Sequence, residues 1–117
     1  EGKMPTEIVK KPWGYEEIWA KTESYVGKKI HIKKGHRLSK QYHREKEETV
    51  YVVSGNLRLQ FEDHARLMIQ GESCHIPPGT IHRFCADRNN VDLIEVSTPQ
   101  LSDVVRIEDD YGRDETN

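Results

Sequence analysis

From Tyr25 onward, apolar and polar residues alternate with a period of two, in short runs punctuated by Gly, Pro, Asn or Asp. In YVGKKIHIK, Ile30 and Ile32 fall on one side and Lys29, His31 and Lys33 on the other, which predicts a half-buried strand with His31 turned to solvent. In LRLQF, Leu57, Leu59 and Phe61 point inward and Arg58 and Gln60 outward. TVYVV, RLMIQ, IHRFCA and VDLIEVSTP continue the pattern, and EDHA is a turn with His64 exposed. Before them, the turn Lys11-Pro12-Trp13-Gly14 leads into YEEIWA, whose Tyr15, Ile18 and Trp19 supply strand-forming bulk. Trp13, Tyr15 and Trp19 are expected to help close a small barrel. At least eight short strands and no long helical periodicity predict an all-β sandwich or barrel. One short helical turn is expected at LSDVV.

The chemistry concentrates between Gly35 and His82. Gln41 and His43 are two apart and share a strand face. Glu48 follows a short polar link and opens the next apolar run, so it is expected on the neighbouring antiparallel strand. His82 starts a strand just after the turn signal PPGT. Two imidazoles, a carboxylate and an amide oxygen on converging strands suit one divalent ion of the Zn, Mn, Fe, Co or Ni kind. Each of these residues alone is equally a surface or hydrogen-bonding side chain. Glu47 is an alternative to Glu48, which the spacing to Gly55 favours.

Composition limits the rest. The 117 residues make one domain, with residues 1–10 expected as an N-terminal extension, 11–113 as the folded domain and 114–117 as a C-terminal tail. Only 34% of residues are apolar and 32% are charged, so the core is thin and invites support from a metal or a partner subunit. A net charge of −2 gives no general attraction to nucleic acid or membrane. No apolar run reaches membrane-spanning length and no signal-peptide pattern is seen, and Cys74 and Cys85 read as free thiols, so a cytoplasmic location is expected.

The glycines that frame the candidate ligands strengthen the metal reading. Gly35 stands six residues before Gln41, Gly55 seven after Glu48, and Gly79 three before His82. This spacing resembles the two cupin motifs, G-x5-H-x-H-x3-4-E-x6-G and G-x5-P-x-G-x2-H-x3-N, with Gln41 at the leading His and Ala86 or Asp87 at the final Asn. The resemblance implies a single-domain cupin, a double-stranded β-helix or jelly-roll barrel.

KPWGYEEIW, GHRLSKQYHREKEETVYVVSG, HIPPGTIHRF and LIEVSTPQLSDVVRIEDDYGR further resemble the cupin domain of type II mannose-6-phosphate isomerases, across roughly residues 10–113. In bifunctional members of that family the cupin domain follows a mannose-1-phosphate guanylyltransferase. The family also carries Gln at the leading ligand position, which makes Gln41 an expected ligand. Glu45, Lys46, Thr49 and Val50 depart from its His, Arg, His and Trp, beside the metal ligands. The resemblance does not extend to a nucleotidyltransferase domain, so guanylyl transfer is not expected of this chain.

The activity implied is metal-dependent isomerisation of mannose 6-phosphate and fructose 6-phosphate, with Gln41, His43, Glu48 and His82 holding one Zn, Mn, Co or Ni ion. Glu45 or Glu95 is the candidate base. The family's His-Arg pair nominates Arg83 for the substrate phosphate, although strand alternation turns it away from His82. Lys40, Lys46, Arg106 and Arg113 are the alternatives. Asp109, Asp110 and Tyr111 are expected to pin the tail to the barrel. Two other readings remain open: a non-catalytic metal-containing cupin that binds a sugar or sugar nucleotide, and an iron-type dioxygenase, which Gln41 disfavours. Homodimerisation is expected from the thin core and the cupin habit of pairing barrels.

Overall fold

The computed structural model describes residues 2–3 and 6–114. Twelve strands run in order: β1 Glu7–Lys11, β2 Gly14–Lys21, β3 Val26–Ile32, β4 His36–Arg37, β5 Lys40–Tyr42, β6 Glu48–Ser54, β7 Leu57–Phe61, β8 Ala65–Met68, β9 Ser73–Ile76, β10 His82–Ala86, β11 Val91–Ser97 and β12 Val105–Glu108. One antiparallel sheet has the order β1-β2-β3-β11-β6-β9, the other β12-β5-β10-β7-β8, with β4 pairing β10 at its side. The described residues contain no helix.

Alternation decides what enters the space between the sheets. Ile30 and Ile32 of β3, Val50 and Val52 of β6, Leu57 and Leu59 of β7 and Val91 and Leu93 of β11 are all buried in one cluster with Trp13 and Phe84. Each fully buried aliphatic side chain stabilises the fold by roughly 1.5–3 kcal/mol. The same inward file then turns polar. Past Ile30 on β3 comes Lys28, past Leu93 on β11 comes Glu95, and past Val50 on β6 comes Glu48, all buried. One end of the barrel is therefore an apolar core, and the other is lined with charge.

Tight turns set these strands in register. Gly55 joins β6 to β7 at φ +81°, and a Cβ there would run into the carbonyl oxygen of Asn90. Gly79, after Pro77 and Pro78, donates its N–H to the His43 carbonyl at 2.7 Å, which ties the turn before His82 to the strand end carrying His43.

Several expectations need adjusting. Residues 101–104 form a turn and not a helical turn, and Val105 already belongs to β12. The extension expected over 1–10 supplies β1 from Glu7 onward, paired with β2. Glu1, Met4, Pro5 and, in the tail, 115–117 lie outside the described residues. Trp13 is core, but Trp19 lies 41% exposed on the outer face, where a Cβ at Gly27 would meet its ring, and Tyr15 stacks on His31. His31 lies opposite the apolar face as expected, half-buried with its Nδ1 2.8 Å from Asp92 Oδ1. The two cysteines are free. The tail is pinned: Asp110 accepts two hydrogen bonds from Arg37, at 2.7 and 2.9 Å, and the Tyr111 hydroxyl lies 2.7 Å from His36 Nδ1.

Candidate metal centre

His82 opens β10 and faces Gln41 of β5 directly across the sheet; Gln41 in turn faces Arg106 of β12. Cross-strand partners present side chains to the same face, so the three form an inward row. His43 follows β5, and Glu48 begins β6 in the opposite sheet. The ligand atoms of His43, Glu48 and His82 lie within 4.8 Å of one another, and all three residues are buried. Glu48 Oε1 is 3.1 Å from His43 Nε2 and 3.0 Å from His82 Nε2.

The far side of each ring explains why this trio is unusual. Nδ1 of His43 donates to the Asp103 carbonyl at 2.6 Å, and Nδ1 of His82 donates to the Thr80 carbonyl at 2.7 Å. A carbonyl only accepts, so each Nδ1 carries a proton and each ring turns its Nε2 inward. Two ring nitrogens and a carboxylate oxygen thus converge on one point. His82 Nε2 is buried without a hydrogen-bond partner despite its short distance to Glu48, because the alignment is wrong for a bond. The donor set, one carboxylate and two imidazoles braced from behind by backbone carbonyls, fits a divalent transition ion. Gln41, half-buried beside His82, keeps its Oε1 on the Ser39 hydroxyl at 2.9 Å.

Behind the trio lies a second charged group. Lys46 is buried, with Nζ 3.7 Å from Glu48 Oε2 and 3.4 Å from Glu95 Oε2. Lys28 Nζ lies 3.4 Å from Glu16 and 4.0 Å from Glu95. Oε2 of Glu48 and Oε2 of Glu95 are both buried without a conventional donor. Burial pushes Glu95 well above the usual carboxylate range, and the adjacent Glu48 charge and hydrogen bond push it further. Burial also works to raise Glu48, but the neighbouring Glu95, His43 and His82 side chains and the charge of Lys46 outweigh it and hold Glu48 low. The shared environment thus pushes the two carboxyls apart, Glu95 up and Glu48 down.

The loop between His43 and Glu48 is held by a residue that sequence reasoning did not single out. The Asp103 carboxylate accepts backbone hydrogen bonds from Arg44, Glu45 and Lys46 at 3.0, 2.7 and 2.9 Å, while its own carbonyl braces His43. These donors lower its pKa to about 2.

The remaining candidates lie elsewhere. Glu45 is exposed on that loop. Arg83 is 2% exposed and committed on the outer side of β10: Nε donates to the Leu38 carbonyl at 2.8 Å, and the terminal nitrogens lie 3.6 Å from Glu108 and 3.3 Å from Asp110. It faces away from His82, as alternation required and against its assignment to a phosphate. Lys40 Nζ sits 3.6 Å from Glu108. Glu47 pairs with His75 at 2.6 Å in solvent, which leaves Glu48 as the inward carboxylate.

Two antiparallel sheets enclosing a His/Glu/His cluster at one end define a cupin. An RmlC-like cupin from Shewanella frigidimarina superposes with a TM-score of 0.74 at 23% identity, covering 82% of this chain and 86% of that one, a likeness of fold alone. In sequence the chain belongs to the mannose-6-phosphate isomerase C-terminal family, whose model matches residues 2–109. Mannose-1-phosphate guanylyltransferase ManC of Salmonella typhimurium is 40% identical over 112 residues, covering 90% of this chain and 23% of that protein. Alginate biosynthesis protein AlgA of Pseudomonas aeruginosa is 32% identical over 109 residues, with the same coverage of 90% and 23%. The chain thus spans about a quarter of the length of these relatives. No helix of the described residues is long and apolar enough to cross a membrane.

Proposed function

We propose that this domain is a metal-dependent sugar-phosphate isomerase that interconverts mannose 6-phosphate and fructose 6-phosphate. The observation that carries the reading is the meeting of three buried candidate ligands, His43, Glu48 and His82, beside the buried carboxyl of Glu95. With Gln41 as a fourth donor, the set leaves a coordination position for substrate. A divalent ion held there supplies Lewis acidity toward a carbonyl oxygen.

The chain's own residues must then help move one proton between C1 and C2 while another passes between O1 and O2. Glu95 suits the carbon-bound transfer because it is buried beside the trio, where burial raises its affinity for a proton. The Lys46 ammonium 3.4 Å away favours its ionised form, so the carboxyl is able both to hold and to release a proton. Lys46 and Lys28 also keep the acidic end of the barrel from accumulating uncompensated charge. Homodimerisation is part of the proposal: Trp19, Tyr51, Val53 and Val96 are exposed on the outer face of the larger sheet, an apolar surface suited to a second copy.

A second reading is favoured by Glu45, Lys46, Thr49 and Val50, which depart from the family pattern next to the ligands. It makes the domain a metal-containing binding module for a sugar or sugar nucleotide. The deciding experiment is a coupled assay of mannose 6-phosphate conversion with metal removed and restored. Turnover that tracks metal supports the isomerase; stoichiometric metal without turnover supports the binding module.

A further inference from the structure

Two adjoining cavities open next to the metal centre and share Lys11, Glu16, Gln41 and Arg106 in their walls. The inner one, about 100 Å³, continues to His43, Lys28 and Lys46. The outer one, about 50 Å³, continues to Trp13, Ser39 and Arg113. One water needs roughly 10–15 Å³ of such space, so each holds a group of several heavy atoms. Together they form a cleft with the candidate ligands at one end.

Five cations line this cleft, and three are already matched. Lys28 pairs with Glu16, Lys46 with Glu48 and Glu95, and Arg113 makes a two-point contact with Asp109 at 2.8 and 3.0 Å. Among the described residues, Lys11 and Arg106 make no ion pair. Arg106 Nε is moreover buried without a hydrogen-bond partner. Its strand position gives it direction: it stands opposite Gln41 in the inward row that continues to His82.

We propose that Lys11 and Arg106 form an anion subsite that takes the phosphate group of a phosphorylated sugar, while the sugar's carbonyl end reaches the centre at His43, Glu48 and His82. The identification of the anion as a substrate phosphate rests on the isomerase reading. Arg106 offers a planar fork of donors to phosphate oxygens, and Lys11 adds a point charge from the β1 side. Glu16, the carboxylate in the shared wall, is paired with Lys28 at 3.4 Å, which offsets its repulsion of an anion. Cation crowding agrees with this picture. Burial lowers the Lys11 ammonium, Glu16 opposes that, and Arg106, Arg113 and Lys28 press it lower still. The subsite replaces Arg83, whose guanidinium is consumed by Leu38, Glu108 and Asp110.

The test uses the whole chain loaded with metal, with Lys11→Gln, Arg106→Gln, Arg106→Lys and the exposed control Lys21→Gln. Inorganic phosphate, mannose 6-phosphate and mannose are titrated by calorimetry, with metal content checking that the neighbouring centre is intact. Phosphate and mannose 6-phosphate are expected to weaken at least tenfold in Lys11→Gln and Arg106→Gln, less in Arg106→Lys, and not at all in Lys21→Gln. Mannose affinity should not change. Unchanged phosphate affinity in both neutralised variants with metal bound overturns the subsite, as does a wild type that binds no phosphate. The two readings separate cleanly. Isomerase turnover with KM unaltered in both variants sinks the subsite and keeps the isomerase. A tenfold loss of phosphate binding in a protein that never isomerises keeps the subsite and sinks the isomerase.

Discussion

Replacing Glu48 by Gln should make the metal-free protein more stable and the metal-loaded protein less so. If the rings are neutral in the metal-free protein, Glu48 Oε1 faces two Nε2 acceptors at 3.0 and 3.1 Å, because the Nδ1 protons go to the Thr80 and Asp103 carbonyls. An amide with its NH2 on that side donates to both rings. Its oxygen, on the other side, lies beside the Lys46 ammonium. Relieving buried unsatisfied acceptors is worth ~1–3 kcal/mol. For a chain of this size that amounts to a rise in Tm of roughly 4–12 °C, at about 4 °C per kcal/mol. With metal at a thousandfold excess over Kd, the wild type gains ~4 kcal/mol, most of which the variant forgoes because a neutral amide replaces the anionic ligand. Thermal melts of both proteins, with chelator and with metal, should therefore cross in rank. A metal-free Glu48→Gln protein that melts below metal-free wild type would refute the frustrated-acceptor reasoning, since it would mean protons already satisfy the trio.

Other outcomes follow from single residues. Gly55→Ala must adopt φ near +81° and push against the Asn90 carbonyl, so it should lose about 1–3 kcal/mol in urea unfolding; an unchanged midpoint would contradict the turn geometry. Asp103 is held at about 2 against its usual 3.8 by backbone donors, so its stabilisation is complete above about pH 4 and disappears as pH falls through 2. Urea midpoints of wild type and Asp103→Asn should accordingly differ above pH 4 and converge toward pH 2, and parallel curves would exclude the linkage. Val96→Arg, on the exposed face of β11, should give a monomer by sedimentation while retaining metal; an unaltered mass would move any dimer contact elsewhere.

Much of the candidate centre is legible in the chain because its residues obey simple rules. His43 and Glu48 flank a short polar link, and His82 follows a Pro-Pro-Gly turn that the fold fastens to the His43 backbone. The strand period also marks Lys28 as an inward residue. It stands in file with Ile30 and Ile32, where a charge is out of place unless paired within. Glu95 stands likewise in file with Val91 and Leu93, but the upward push on its pKa comes from burial and from Glu48, which arrives from another strand. Arg83 shows the limit of alternation. Every residue of β10 is buried; Arg83 on its outer face is covered by Asp110, and a period-two pattern cannot anticipate a cover from 27 residues downstream. β1 escaped because Ile8-Val9 is a minimal apolar signal, and backbone pairing with β2 holds the strand with Ile8 62% exposed. The helical turn expected at LSDVV gave way to the demand of β5 for a hydrogen-bonded neighbour, which β12 supplies.

The most direct measurement is conversion of mannose 6-phosphate to fructose 6-phosphate by metal-stripped protein, with Zn, Mn, Co and Ni restored one at a time. Turnover is expected to return with at least one ion and to be lost in His43→Ala, His82→Ala and Glu95→Gln, the last with its metal still bound. Full metal occupancy with no turnover under any ion would contradict the isomerase and leave the domain a sugar-binding cupin.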